Sequence, residues 1–473
     1  MRENPAQPIT LREPPPSTGE AEEGPSYRLF VFSSLTFASL GGFALAVALP
    51  LSSALQWNWG WRWAAMAQAH GQVQLLGWAG LFAMGMAYRL MPRFSGRPLA
   101  FPFLQKWSWG ALVASLLLRM AAQPAEVGVQ QQTFLILSGA LGLGAALAFA
   151  AVVFGTLLHR HSRAEATGYF FVAAAAAFVV QAAVELADVS LMAQRDENVV
   201  RYLENDALLF LQVYGFLLML IMGVGTRAVP TFSGLPRPNV ALKLLCLSYC
   251  AVVVAYVTSD LWRATGSSSV ALVRTEDAAL VALAPVFVTA VWLTGIFRPA
   301  AIRLRPASQP HLWFLRSAFA WLLVAGGLAA YYGGRGVIDG APTSTFAADA
   351  IRHSISVGVV TAMVMGMSML VLPEHAARRM HHPDEPFWPL TLALMLNLSA
   401  ALRLWPALAG LHWLDADRYW PMAAAGTLGE AAVLVYAALF IRNYLELRRG
   451  IVPLPPAGPA RTGADSAPNA STP

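Results

Sequence analysis

Cysteine is nearly absent from this 473-residue chain: Cys246 and Cys250 are the only two, so no disulfide framework holds the fold. Their i, i+4 spacing places both thiols on one face of a helix. Two thiols one turn apart suit a soft metal such as copper, but inside an apolar helix small hydrophobes of this kind are far commoner. Charge is scarce as well. Asp, Glu, Lys and Arg make up 12% of the residues against 57% hydrophobic, with a mean hydropathy of +0.52, values that a soluble domain of this size does not tolerate. Also missing are a phosphate-binding glycine loop, a serine nucleophile and a zinc spacing in a suitable context, so hydrolase chemistry has no support.

What the sequence has in their place is long apolar runs. A hydrocarbon core of about 30 Å needs roughly 20 apolar residues per helix. Such stretches centre near Leu40, Gly80, Leu112, Leu143, Ala175, Leu218, Val252, Ala284, Leu323, Val360, Leu394 and Val433. The expectation is an all-α membrane protein of about twelve transmembrane helices. Residues 1–27 are rich in Pro, Glu and Gly and lack an apolar run, so they read as a cytoplasmic polar tail rather than a cleavable signal. Residues 446–473 read as a disordered cytoplasmic tail.

Lys and Arg concentrate in the loops after the even-numbered spans, as at Arg93, Arg160, Arg227, Arg303 and Arg379. Cytoplasmic loops hold that excess, which puts both termini in the cytoplasm. The net charge of +6 is then a topology signal with some attraction to lipid headgroups, and nucleic-acid binding explains it poorly.

An internal repeat organises the spans. The strings HGQVQLLGWAGLFAMGMAYRLMPRFSG from His70, LLFLQVYGFLLMLIMGVGTRAVPTFSG from Leu208 and IRHSISVGVVTAMVMGMSMLVLP from Ile351 align without gaps. Gly77, Gly215 and Gly358 coincide, as do Met84, Met222 and Met365, then Gly85, Gly223 and Gly366, then Pro92, Pro230 and Pro373. Each interval holds four spans, which predicts three four-helix arcs at 28–158, 159–297 and 298–445. The shared glycines let helices approach closely, and the prolines stop each helix just past its cytoplasmic end.

Chemistry is expected where the repeats differ, at the extracytoplasmic entrance of each helix. Among nine histidines, His70 and His353 alone fall well inside spans, the second and the tenth, at a shared depth. A lone intramembrane histidine often just bonds a neighbouring helix, but two at one depth favour a shared ligand. Neutral imidazoles from facing helices hold a six-coordinate haem iron. Gly71 and Gly77 open space near His70, and Trp78 with Trp57, Trp59, Trp61 and Trp63 offers flat apolar surface, although interfacial tryptophan is usually an anchoring belt. Arg119, Arg352 and Arg403 are candidates for haem propionates, with snorkelling to headgroups as the plainer use. Glu185, Asp188 and Glu430 are intramembrane acids that relay protons or, more often, bond a neighbouring helix.

These residues resemble subunit I of the heme-copper oxidases, where the tenth-span string compares with HGQVQLLGWAGLFAMGMAYRLMPRF. They look still more like the NnrS family, haem-containing membrane proteins of the nitric oxide response, on "PRFSGRP", "GVGTRAVPTFSG" and "RHSISVGVVTAMVMGM". The resemblance implies an oxidase-like fold and a haem, of b type, with His70 and His353 as axial ligands. It also marks departures. The oxidases hold a second haem from the position of Ile351, and copper from histidines in the sixth and seventh spans, which here have none. Gln212 and Tyr214 stand in that region, suited to packing or to a small polar cavity. Glu374, His375, His381 and His382 lie near a turn where the family carries a further histidine. They suit copper weakly, and a solvated loop is the commoner reading of such clustered charge. Copper is therefore unsupported.

The expectation is a haem-binding protein of the bacterial inner membrane, engaged in nitric oxide metabolism, nitrosative-stress defence or electron transfer. Its partners would be the lipid bilayer, a quinol or cytochrome donor and nitric oxide. Two alternatives stand beside it: a divergent oxidase or nitric oxide reductase subunit, and a transporter.

Overall fold

In hydrocarbon, backbone polar groups must be satisfied within the chain, and a helix does this locally. The computed structural model describes residues 26–158, 166–232, 239–267, 269–298, 310–376, 387–410 and 415–449, and among these the regular structure is helical with no strand. In chain order the long helices are α1 (Tyr27–Ala54), α2 (62–95), α3 (Phe103–Ala122), α4 (Val129–Leu157), α5 (Ala166–Gln194), α6 (Tyr202–Thr231), α7 (Val240–Ala264), α8 (Val270–Thr294), α9 (His311–Asp339), α10 (Thr345–Val371), α11 (Phe387–Leu408) and α12 (Ala416–Arg448). All but α2 and α3, ten in number, are long and apolar enough to cross a membrane. α2 and α3 fall at the expected places but carry more polar residues: Gln68, His70, Gln72 and Gln74 on α2, Lys106 and Arg119 on α3.

The repeat reappears in the backbone. α2, α6 and α10 each change from α- to π-helical hydrogen bonding, over Val73–Gly80, Leu211–Leu217 and Ser354–Thr361. These segments begin at positions that match in the sequence alignment, and each encloses the shared Gly77, Gly215 or Gly358. They touch one another pairwise. π turns are rare in helices, and three in register mark these helices as copies of one element.

The shared glycines have a common task. A Cβ at Gly85, Gly223 or Gly366 would lie 2.6, 2.7 and 2.7 Å from the Cβ of Phe30, Phe170 and Phe314, on α1, α5 and α9. One phenylalanine per repeat is thus seated on one glycine. The higher glycines act alike: Phe37, Ala177 and Trp321 fill the space beside Gly77, Gly215 and Gly358.

The prolines do not behave as one set. Pro92 and Pro230 lie inside their helices, which run on to Ser95 and Phe232, while Leu372 is extended and ends α10 before Pro373. Within a last turn proline removes one hydrogen bond without ending the coil, whereas the residue before a proline is pushed toward extended geometry.

Helices adjacent in the chain pack together, and α12 returns onto α1. Gly426 allows that return, since a Cβ there would meet the Ala46 carbonyl. The apolar windows of α6 and α10 are 83% buried, against 39–56% for the other eight apolar helices. The centre is therefore built from the repeated helices, and the outer ones turn Leu117, Val254, Trp292, Leu398 and Leu434 outward, an apolar girdle for lipid contact.

Candidate functional site

His70 sits on α2 just before its π segment. Its Nδ1 is 2.8 Å from the Gly42 carbonyl oxygen of α1, within a stretch where α1 is itself π-helical, Ala38–Gly42. Gly42 also leaves room for the Gln74 side chain, whose Oε1 would lie 2.1 Å from a Cβ there. His353 is the last α-helical residue before the π segment of α10. Its Nδ1 lies 2.9 Å from the Asp349 carbonyl oxygen one turn earlier and 3.1 Å from Asp349 Oδ1. A nitrogen facing a carbonyl oxygen must carry the proton, which leaves the lone pair on Nε2 in both rings. Among the described residues neither Nε2 has a hydrogen-bond partner. His353, Arg403 and Asp349 all lie within electrostatic range of His70. His353 keeps 23% of its side-chain surface exposed on one of the two most enclosed helices.

Each arginine expected at this site has an internal partner. Arg403 Nη2 is 2.9 Å from Asp349 Oδ2, and Arg352 Nη1 is 2.7 Å from Asp206 Oδ1, whose other oxygen accepts from the Tyr256 hydroxyl at 2.7 Å. Arg352 and Arg403 thus flank His353. Arg119 belongs to another group: its Nε donates to Gln123 at 2.6 Å, Gln123 donates to Gln68 at 2.8 Å, and Glu185 and Asp188 supply the nearby negative charge. Those acids are buried, and Glu185 accepts from Gln181, one turn earlier on the same helix, at 2.9 Å rather than from a neighbouring helix as expected of intramembrane acids.

Sequence reasoning missed Asp206 and Asp349, which hold the arginines, and Arg418, fully buried within electrostatic range of Arg403. Asp349 had a usable signal, an acid four residues before an intramembrane histidine. Arg418 resembled a loop cation.

Other expected residues find different surroundings. Gly71 faces the Leu209 side chain at 3.7 Å, bringing α2 beside α6. Gly77 is occupied by Phe37, and Trp78, eight residues beyond His70 and about 12 Å along the axis, donates to Thr361 at 3.3 Å. Trp57 and Trp61 are exposed in the α1–α2 connection, as an anchoring belt would be. Gln212 donates to Gln72 at 3.0 Å in full burial, and Tyr214 stacks on Phe210. Tyr214 also lines a small crevice with Asp206, Tyr256 and Arg352. Cys246 is buried and Cys250 half-buried on α7.

The group that follows α10 departs from the solvated loop expected of it. Glu374 and His375 are buried: Glu374 accepts from Arg28 at 2.8 Å and from the Tyr27 hydroxyl at 3.1 Å, and His375 packs on Tyr436 and Phe440. A short turn, Pro373–Ala376, folds them under α1 and α12. His381 and His382 lie outside the described residues. Among the described residues no group of three or more His, Cys, Asp or Glu has metal-holding geometry.

Helices in this arrangement, carrying two histidines at the head of repeated central helices, define a membrane protein of heme-copper oxidase architecture. A heme-copper terminal oxidase whose dimer was solved by electron cryomicroscopy superposes with a TM-score of 0.63 at 11% identity, over 89% of this chain and 84% of the oxidase chain. The chain belongs to the NnrS family, whose model, described as NnrS protein, matches residues 140–448. His353 lies within that stretch and His70 before it. No curated protein matches the sequence.

Proposed function

We propose that this protein is a haem-carrying member of its family in the bacterial inner membrane, with both termini cytoplasmic, serving the nitric oxide response. One haem, of b type, is held between α2 and α10. One observation carries the reading: two imidazoles in range of each other each commit Nδ1 to a backbone carbonyl and leave Nε2 unengaged. That is how a protein prepares histidine for a metal, because the hydrogen bond fixes both tautomer and ring plane. His70 and His353 would hold the haem iron, and Arg352 and Arg403, paired with Asp206 and Asp349, would offer positive charge to its propionates. The bound group supplies a one-electron redox centre that exchanges electrons with a quinol or cytochrome donor.

The residues present argue against oxygen reduction. At the matched positions Leu208, Phe210 and Ile351 offer no metal-binding atom, and α6 and α7 carry no histidine, so a second haem and its copper lack ligands.

Two measurements test this. The absorbance spectrum of the purified protein should show haem and lose it in H70A and in H353A; a normal spectrum in either variant refutes the ligation. Cells lacking the protein should grow poorly under nitric oxide, be restored by the wild type and not by H353A; equal growth without the protein refutes the physiological role.

A further inference from the structure

The two histidines are supported unequally. His70 Nδ1 faces only a neutral carbonyl, that of Gly42 at 2.8 Å. His353 Nδ1 faces a carbonyl at 2.9 Å and the Asp349 carboxylate at 3.1 Å. The same carboxylate is gripped on its other oxygen by Arg403, from α11, at 2.9 Å. His353, Asp349 and Arg403 therefore form a line in which the carboxylate lies between the ring and a fixed cation.

Resting on the proposed haem ligation, we propose that Asp349 is a positioning residue that makes His353 the more electron-donating of the two axial ligands, and that Arg403 sets how strongly it does so. A carboxylate at Nδ1–H draws the proton and leaves more negative charge on Nε2, which favours the oxidised iron and lowers its reduction potential. Arg403 holds part of that charge on the far oxygen and moderates the effect. The geometry also fits the helix. Positions i and i+4 share a face, so the residue that orients His353 comes from the turn before it. Gln68, at i−2 of His70, instead bonds Val200, and α2 has no carboxylate within the four residues before His70.

The test is a redox titration of the bound haem in the wild type, D349N, D349E and R403Q, with low-temperature electron paramagnetic resonance of the oxidised proteins. D349N keeps a group of similar size but loses the negative charge, so the midpoint potential should rise and the resonance should report a weaker axial field. R403Q should move the potential the other way. D349E, which keeps the charge, should stay near the wild type. Loss of haem in D349N with recovery in D349E also supports the proposal, because D349E keeps the charge that D349N loses even though its side chain is one methylene longer. Haem retained in D349N at an unchanged midpoint overturns it, as does loss in D349N and D349E alike. A wild type that binds no haem overturns the ligation itself, a result distinct from the others.

Discussion

α10 and α6 are two versions of the same helix. Each carries a π segment at the matched position, each seats a phenylalanine on a glycine one to two turns further on, and each is 83% buried over its apolar window. At their entrances they diverge. Where α10 has His353, α6 has Phe210, stacked between Tyr214 and Tyr256. The scaffold is thus repeated and the chemistry is not. The same backbone geometry takes a candidate metal ligand in one copy and an aromatic stack in another. The π turns belong to the scaffold, because they occur in α6 without any candidate ligand.

The contact that ties the two helices together should give the largest response when broken. Arg352 of α10 and Asp206 of α6 form a mostly buried pair at 2.7 Å. Removing one partner strands a charge in low dielectric, a loss of about 3–5 kcal/mol. R352Q should lower the resistance of the detergent-solubilised protein to denaturant by that order, and D206N in the same chain should restore much of it. No recovery in the double variant would mean that the pair is not the source of the effect.

The glycine seats should respond equally in all three repeats. A methyl group at Gly85, Gly223 or Gly366 would press on a phenylalanine Cβ, and overpacking of this kind costs about 1–3 kcal/mol. G85A, G223A and G366A should each lower the unfolding midpoint of the solubilised protein. A strong effect in one copy with none in the others would break the equivalence of the repeats.

The smallest expected effect is at the α2–α6 contact. Gln212 donates to Gln72 at 3.0 Å, and Gln72 occupies the position matched to His353. Q212L should cost about 1 kcal/mol in the same denaturation measurement and leave the haem spectrum intact. A lost spectrum would move α6 into the cofactor site.

Much of this architecture was legible in the sequence. Apolar runs mark the helices because hydrocarbon leaves the backbone few alternatives, and the matching Gly77, Gly215 and Gly358 mark the repeat that the π segments share. The π turns themselves were hidden, since no residue type encodes a shift from i+4 to i+5 bonding. At the site, His70 and His353 stood out by being ionisable inside apolar spans. Their hydrogen-bond acceptors did not. The Gly42 carbonyl is backbone, with no side-chain signature, and its meeting with His70 depends on how α1 lies against α2. Asp206 and Asp349 sit near helix starts, where acids are ordinary, and only the spacing of Asp349, four residues before His353, sets it apart. Glu374 and His375 looked like loop residues because the residues around them are charged, and only the fold shows them tucked beneath α1 and α12.

If the histidines of α2 and α10 hold one haem between them, as proposed, haem content per chain depends on both. Purified wild type, H70A, H353A and F210A, made in parallel, should be assayed for haem against protein. Wild type and F210A should carry stoichiometric, low-spin haem, and H70A and H353A little or none. Full haem content in either histidine variant, with the wild-type low-spin spectrum, would contradict the proposed ligation.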